Sequence, residues 1–159
     1  MKARNPQLTL RLDAAAPDAG ARWREGAPLA YLGGAVTLRL GTEYKEPLLE
    51  NGELHLPLPP EASARQVQDA AESWLRARAQ VVIETQLVME ARRFGRPVPA
   101  FALSFSARAG WAQADGKGGL RFQWRLVEQS PEVIAQVVAR AVGGLPSPAA
   151  MQDLFALPA

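Results

Sequence analysis

The sequence predicts an α+β domain, on three observations. Short stretches of alternating apolar and polar residues fill the first third, a helical apolar period runs unbroken from Ser63 to Phe94, and alternation returns at Phe101 before a second, shorter helical run. At 159 residues and 17.2 kDa, 48% hydrophobic and 21% charged, the chain suits one core. Residues 1–159 therefore read as a single domain, with a β-rich portion over 1–60 and helices and strands over 61–159.

Each element has its own signal. Leu8, Leu10 and Leu12 alternate with Thr9 and Arg11, Val36, Leu38 and Leu40 with Thr37 and Arg39, and Leu54, Leu56 and Leu58 with His55 and Pro57, so each run is a strand with one wet face. Pro17 to Gly20, Gly33-Gly34 and Asn51-Gly52 read as turns, the last because both residues tolerate positive φ. Asp13 to Ala27 reads as a mobile loop, in which Trp23 is either core or exposed. Pro57, Pro59 and Pro60 end the region, because proline donates nothing to a ladder. Ser63 to Gln66 has the spacing of a capping box. Val67, Ala70, Ala71, Trp74, Leu75, Val81, Val82, Leu87, Val88, Ala91 and Phe94 follow, until Gly95 and Pro97 stop a helix of about eight turns. Glu72 and Arg76 belong to its solvated face. Arg92, Arg93 and Arg96 sit where the helix dipole favours cations; a phosphate site is the alternative.

Phe101, Leu103 and Phe105, and then Leu120, Phe122, Trp124 and Leu126, predict two strands around a Gly-rich loop, with Trp74 and Trp124 in the core. Ser130-Pro131 is an N-cap followed by proline at the first helical position, and the stripe Val133, Ile134, Val137, Val138, Ala141, Val142 ends at Gly143-Gly144. Ser147-Pro148 repeats the signal for a short last helix holding Met151, Leu154 and Phe155.

Composition excludes several chemistries. Without cysteine there is no disulfide, thiolate metal site or thiol nucleophile, and His55 alone cannot make a zinc centre of two or three imidazoles. Eighteen Lys and Arg against 16 Asp and Glu leave +2, which implies no nucleic-acid partner. No leader-like or membrane-spanning run is evident, so a cytoplasmic setting is expected. Gly110 to Gly118 has one residue too many for a phosphate loop and Gly118 where a Ser or Thr is needed, so it reads as a plain turn. No G-x-S-x-G elbow accompanies Ser104 or Ser106, His55 reads as an exposed strand residue, and Glu43, Glu46, Glu50 and Glu53 as solvated loop.

From Arg108 onward the order of residues resembles the YgjP-like metallopeptidase domain family, zincin-like predicted metal-dependent hydrolases marked by K-S-R-W-G-S-C-S, L-N-W-R-L, H-E-L-A-H and N-H-S-x-x-F-W. Arg108, Trp111, Gly118, Leu120, Trp124, Arg125, Leu126, Pro131, Val137, Val138, Leu145 and Phe155 fall on or near the expected types. Upstream, Tyr31-Leu32-Gly33, Asn51-Gly52-Glu53-Leu54 and Ser73-Trp74-Leu75-Arg76 are also similar. The resemblance implies a zincin-like fold: an N-terminal β-rich portion, a long central helix, and a small sheet backed by the former active-site helix.

Laid without gaps, the resemblance puts Arg140 and Gly144 where the family has two zinc-binding histidines, Ala141 at the general-base glutamate and Ala150 at the third ligand. Ala112-Gln113-Ala114 replaces G-S-C, and Gln123 the Asn of L-N-W-R-L. An i, i+4 His pair holds Zn²⁺ from one helix face while the Glu takes a proton from its water. No catalytic, metal or cofactor residue is therefore expected, and the expectation is a zinc-free pseudoenzyme that binds peptide or protein through a groove or edge strand. Trp111, Gln123, Arg125 and Arg140 are its candidate groove residues. Arg140 either holds an anionic group or caps its own helix. The alternatives are a hydrolase with non-standard ligands and a self-associating structural subunit; oligomeric state is left open.

Overall fold

The computed structural model describes residues 19–147, which form two compact units: 19–30 with 35–74, and 31–34 with 75–147. The expected strand at Leu8 to Leu12, the last helix, and Ala150 and Phe155 lie outside the described residues.

The first unit holds a one-turn helix α1 (Ala19–Arg22) and strands β1 (Pro28–Tyr31), β2 (Gly34–Gly41), β3 (Leu48–Glu50) and β4 (Glu53–Pro57), in the order β1-β2-β4-β3. Alternation places Val36 and Leu38 of β2 and Leu54 and Leu56 of β4 on one buried face. β2 and β4 are parallel, with Leu38 opposite Leu54 and Leu40 opposite Leu56. Asn51 (φ 52°) and Gly52 (φ 76°) form the expected turn, joining β3 antiparallel to β4.

Several expectations need correction here. The segment read as a loop holds a helical turn at Ala19–Arg22, and Trp23 and Ala27 are buried in the core. β1 and β3 were not expected: Pro28 opens β1, and β3 has no buried residue to impose alternation. Glu50 and Glu53 lie on strands rather than in a loop, and Glu53 accepts from Arg39 Nε at 2.8 Å. His55 does point outward, yet it is half-buried, with the Tyr44 ring edge-on at 5.2 Å.

The long helix α2 (Ala64–Arg93) is capped as its sequence requires. Gln66 N–H donates to Ser63 Oγ (3.1 Å) and Ser63 N–H to Gln66 Oε1 (2.8 Å). At its end Gly95 (φ 65°) allows Arg96 N–H to reach Ala91 O and Gly95 N–H to reach Arg92 O, a Schellman closure. Val67, Ala71, Leu75, Ala79, Ile83, Leu87 and Ala91 are its buried row, each 1% exposed or less. A strict spacing of four precesses by about 40° per step, so the row winds around the helix. Val81, Val88 and Phe94, which a straight stripe would include, are therefore exposed, and Trp74 is half-buried. Arg76, expected on a solvated face, instead lies over the Trp124 ring at 5.4 Å.

The second unit holds β5 (Phe101–Ser104), β6 (Ala112–Ala114) and β7 (Leu120–Gln123) in the order β5-β7-β6, a 3₁₀ turn over Trp124–Glu128, and α3 (Pro131–Gly143). β7 is parallel to β5 and antiparallel to β6. The strand expected to reach Leu126 stops at Gln123, because Gln123, Trp124, Leu126 and Val127 are all buried and a two-residue alternation cannot turn them all inward. In β5 the expected face holds for Phe101 and Leu103, which are half-buried while Ala102 is exposed, but Ser104 is buried and Phe105, past the end of the strand, is 63% exposed. The turn expected at Gly33-Gly34 uses Leu32 (φ 49°) and Gly33 (φ 83°), whose amides donate to Val127 O and Glu128 O. A side chain on Gly33 would meet the Ser130 backbone at 2.8 Å. Ser130 Oγ accepts from Val133 N–H at 3.2 Å, Pro131 starts α3, and Ile134, Val138 and Val142 are its buried row.

Candidate functional site

β6 is an edge strand, and its hydrogen bonds show which of its groups are open. Gln123 N–H donates to Trp111 O and Asp115 N–H to Gly119 O, so the odd-numbered residues 111, 113 and 115 turn their main chain toward β7. Ala112 and Ala114 therefore turn their N–H and C=O groups away from the sheet. In register they stand opposite Phe122 and Leu120, which places their methyl groups on the face that α3 packs against.

Between β6 and α3 lies a groove of about 390 Å³, whose described lining residues all belong to the second unit. One wall is Trp111 to Ala114 with Leu120 behind; the other is Val137, Arg140, Ala141, Gly144 and Leu145. The space exists because Ala112, Ala114, Ala141 and Gly144 carry at most a methyl group where larger side chains would close it. Trp111 is 41% exposed at its rim.

Arg140 is the one charged side chain among the described residues of these walls. It is exposed and makes no hydrogen bond or ion pair with any described residue. The capping alternative fails on geometry: the Arg140 carbonyl accepts from Gly144 N–H and that of Val142 from Leu145 N–H, so backbone amides close the last turn.

Of the four expected groove residues, Trp111 and Arg140 are brought together, as are Ala141 and Gly144. Gln123 and Arg125 are not in the lining. Gln123 is buried, and its Nε2 donates to Ser106 O while its backbone holds Trp111, so it braces the loop that leads into β6. Arg125 lies over the Trp124 ring at 4.4 Å and pairs with Glu128 at 2.9 Å. Val137, Leu145 and the two alanines of β6 also line the groove although they were not among its expected residues, and β6 itself was not expected because a three-residue Ala-Gln-Ala strand carries no apolar alternation.

Other candidates resolve into structure. Between β6 and β7, Asp115 Oδ1 accepts from Lys117 N–H (2.7 Å) and Gly119 N–H (3.0 Å), so those amides are held by the chain's own carboxylate instead of a phosphate. These two amides hold the Asp115 carboxyl below its ordinary range. Arg93 pairs with Glu90, and Arg96 donates to Pro146 O, which disperses the basic cluster. Zinc, which the resemblance implies, does not fit the groove: among the described residues its walls offer no imidazole, thiolate or carboxylate. Among the described residues no cluster of His, Asp or Glu is placed to hold a metal ion, and no helix is long and apolar enough to cross a membrane.

Comparison with curated proteins and with solved structures returns no match. The family model of the YgjP-like metallopeptidase domain matches residues 7–139, ending immediately before Arg140. That match spans most of the chain and agrees with the α+β arrangement of two small sheets and a long helix. The chain belongs to the YgjP-like metallopeptidase domain family.

Proposed function

We propose that this chain is a pseudoenzyme of its family, a zinc-free peptide- or protein-binding module that holds an extended segment in the β6–α3 groove without cutting it. The observation that carries the reading is the chemistry of the walls. A metal-dependent hydrolase must hold its ion with several lone-pair donors and move a proton with a base. Where the gapless resemblance sets the family's zinc ligands and general base, this chain carries Arg140, Ala141 and Gly144, and all three line the groove. A guanidinium, a methyl group and a bare α-carbon do neither job. What the groove retains is shape and an open strand edge, which suffice to add a peptide strand by main-chain hydrogen bonds. A cytoplasmic setting, without nucleic-acid or membrane partners, belongs to the same proposal.

Elemental analysis of the purified chain is expected to find no stoichiometric metal, and a chelator to leave its melting temperature unchanged. About one tightly held metal per chain, or a drop of many degrees, would restore the hydrolase with non-standard ligands. A self-associating subunit is the second reading, favoured by Val81, Val88 and Met89 exposed on α2. A mass by light scattering that stays monomeric as concentration rises would dismiss it.

A further inference from the structure

We infer that Arg140 makes the groove selective for an acidic side chain: the occupant is an extended segment laid along β6 with an aspartate or glutamate directed at α3 and an apolar residue two positions away. The inference rests on the peptide-binding reading above and adds to it the chemical class of the ligand.

Three observations combine. The strand wall offers main-chain donors and acceptors at Ala112 and Ala114, the pattern that accepts another strand. The helix wall offers one fixed positive charge, Arg140, with Val137 and Leu145 as apolar neighbours in the lining. Among the described residues no acidic side chain stands in either wall to neutralise it, and Asp115, next along the chain from β6, already has Oδ1 engaged by two amides. A guanidinium is always charged and presents a planar set of donors matched to a carboxylate.

The geometry also selects the source of the carboxylate. Main-chain partners lie on the strand wall and the guanidinium belongs to the helix wall, so the anion must leave the line of the bound main chain to meet it. A side chain does that; a terminal carboxylate, which continues the main chain, does not. Alternate residues of a strand face the same way, so the residue two positions from the acid also faces α3 and meets the apolar part of the lining.

The probe is a blocked heptapeptide, acetyl-Thr-Leu-Thr-Glu-Thr-Leu-Thr-amide, with its Gln analogue and that analogue bearing a free C-terminal carboxylate. Each is titrated into the ¹⁵N-labelled full chain, with the amide signals of Ala112 and Ala114 as readout. The Glu peptide is expected to shift both signals and to bind about fivefold to tenfold more tightly than the blocked Gln analogue. Arg140→Gln should erase that preference while both peptides still shift the two signals, and Arg140→Lys should keep part of it. Because the Arg140 side chain bonds to no described residue, Arg140→Gln should melt like the wild type. Equal binding of the Glu and Gln peptides to wild type, with both signals shifting, would overturn the role of Arg140 and leave the groove standing. If the free-acid Gln peptide matches the Glu peptide, the carboxylate is a terminal one and the assignment to a side chain is wrong. Silence of both signals with every peptide would overturn the groove reading and this inference with it.

Discussion

β3 and β6 are each three residues long and each lies antiparallel at the edge of a sheet, but they differ in what stands beside them. β3 is Leu-Leu-Glu joined to β4 by the tight Asn51-Gly52 turn, which leaves only Leu49 with its main chain facing outward. β6 is Ala-Gln-Ala, with two residues facing outward and a helix whose near side is Ala141 and Gly144. An edge becomes a groove when small residues on both walls keep the space open and the main chain is left unpaired. β3 presents leucine side chains at its edge, whereas the alanines of β6 line an open space.

The largest effect should come from what holds β6's partner in place. Trp124, 4% exposed at the end of β7 with Arg76 and Arg125 against its ring, anchors the second sheet. Trp124→Ala is expected to destabilise the protein by about 3–5 kcal/mol in urea unfolding. If hydrogen exchange in that variant quickened at β3 as much as at β6, the two edges would not be held independently.

Filling the groove tests the role of small residues directly. Ala141→Leu should abolish peptide-induced shifts at Ala112 and Ala114 while changing stability by about 1 kcal/mol or less, because the added atoms enter open space instead of a packed core. Leu49→Ala on the other edge, at a position 37% exposed, should change neither binding nor stability by more than about 0.5 kcal/mol. Unchanged binding in Ala141→Leu would show that the cavity is not where the segment lies.

The smallest expected effect is on acid stability, and it touches both regions. Glu25 accepts from Leu40 N–H at 2.7 Å and pairs with Arg39 at 2.9 Å; the amide foremost, and the guanidinium after it, hold its carboxyl below the usual value of 4.5. The amides of Lys117 and Gly119 do the same for Asp115, whose usual value is 3.8. A carboxyl lowered on folding contributes its full stability above its unfolded value and loses it as pH falls through the folded one. Melting temperature should thus be level above about pH 5 and fall in acid, with a shallower fall in Glu25→Gln and Asp115→Asn. An acid limb identical in both variants would assign it to other carboxylates.

These two regions also show what could be read from the residues and what could not. Local chemistry was legible: the Ser63–Gln66 box, the Ser130-Pro131 start and the Asn51-Gly52 turn are set by residues within three positions of one another. Failures came wherever distant pairing overrode local pattern. β3 and β6 exist only because β4 and β7 pair with them, Trp124 turns inward through a 3₁₀ turn where alternation predicts more strand, and the winding row of α2 exposes Val81 and Val88. The candidate site was legible in part. The resemblance pointed to Trp111 and Arg140, which line one groove, but Gln123 and Arg125 are turned to structural partners that only the tertiary fold reveals.

The central claim is that the groove binds without hydrolysing. Its most direct test is to incubate the full chain, with one equivalent of added zinc, with a defined mixture of blocked peptides, and to follow bound and cleaved species together by mass spectrometry. The account predicts acidic peptides retained on the protein at full length and no new fragments over the background of zinc alone. Fragments that accumulate over many turnovers and disappear on chelation would contradict it.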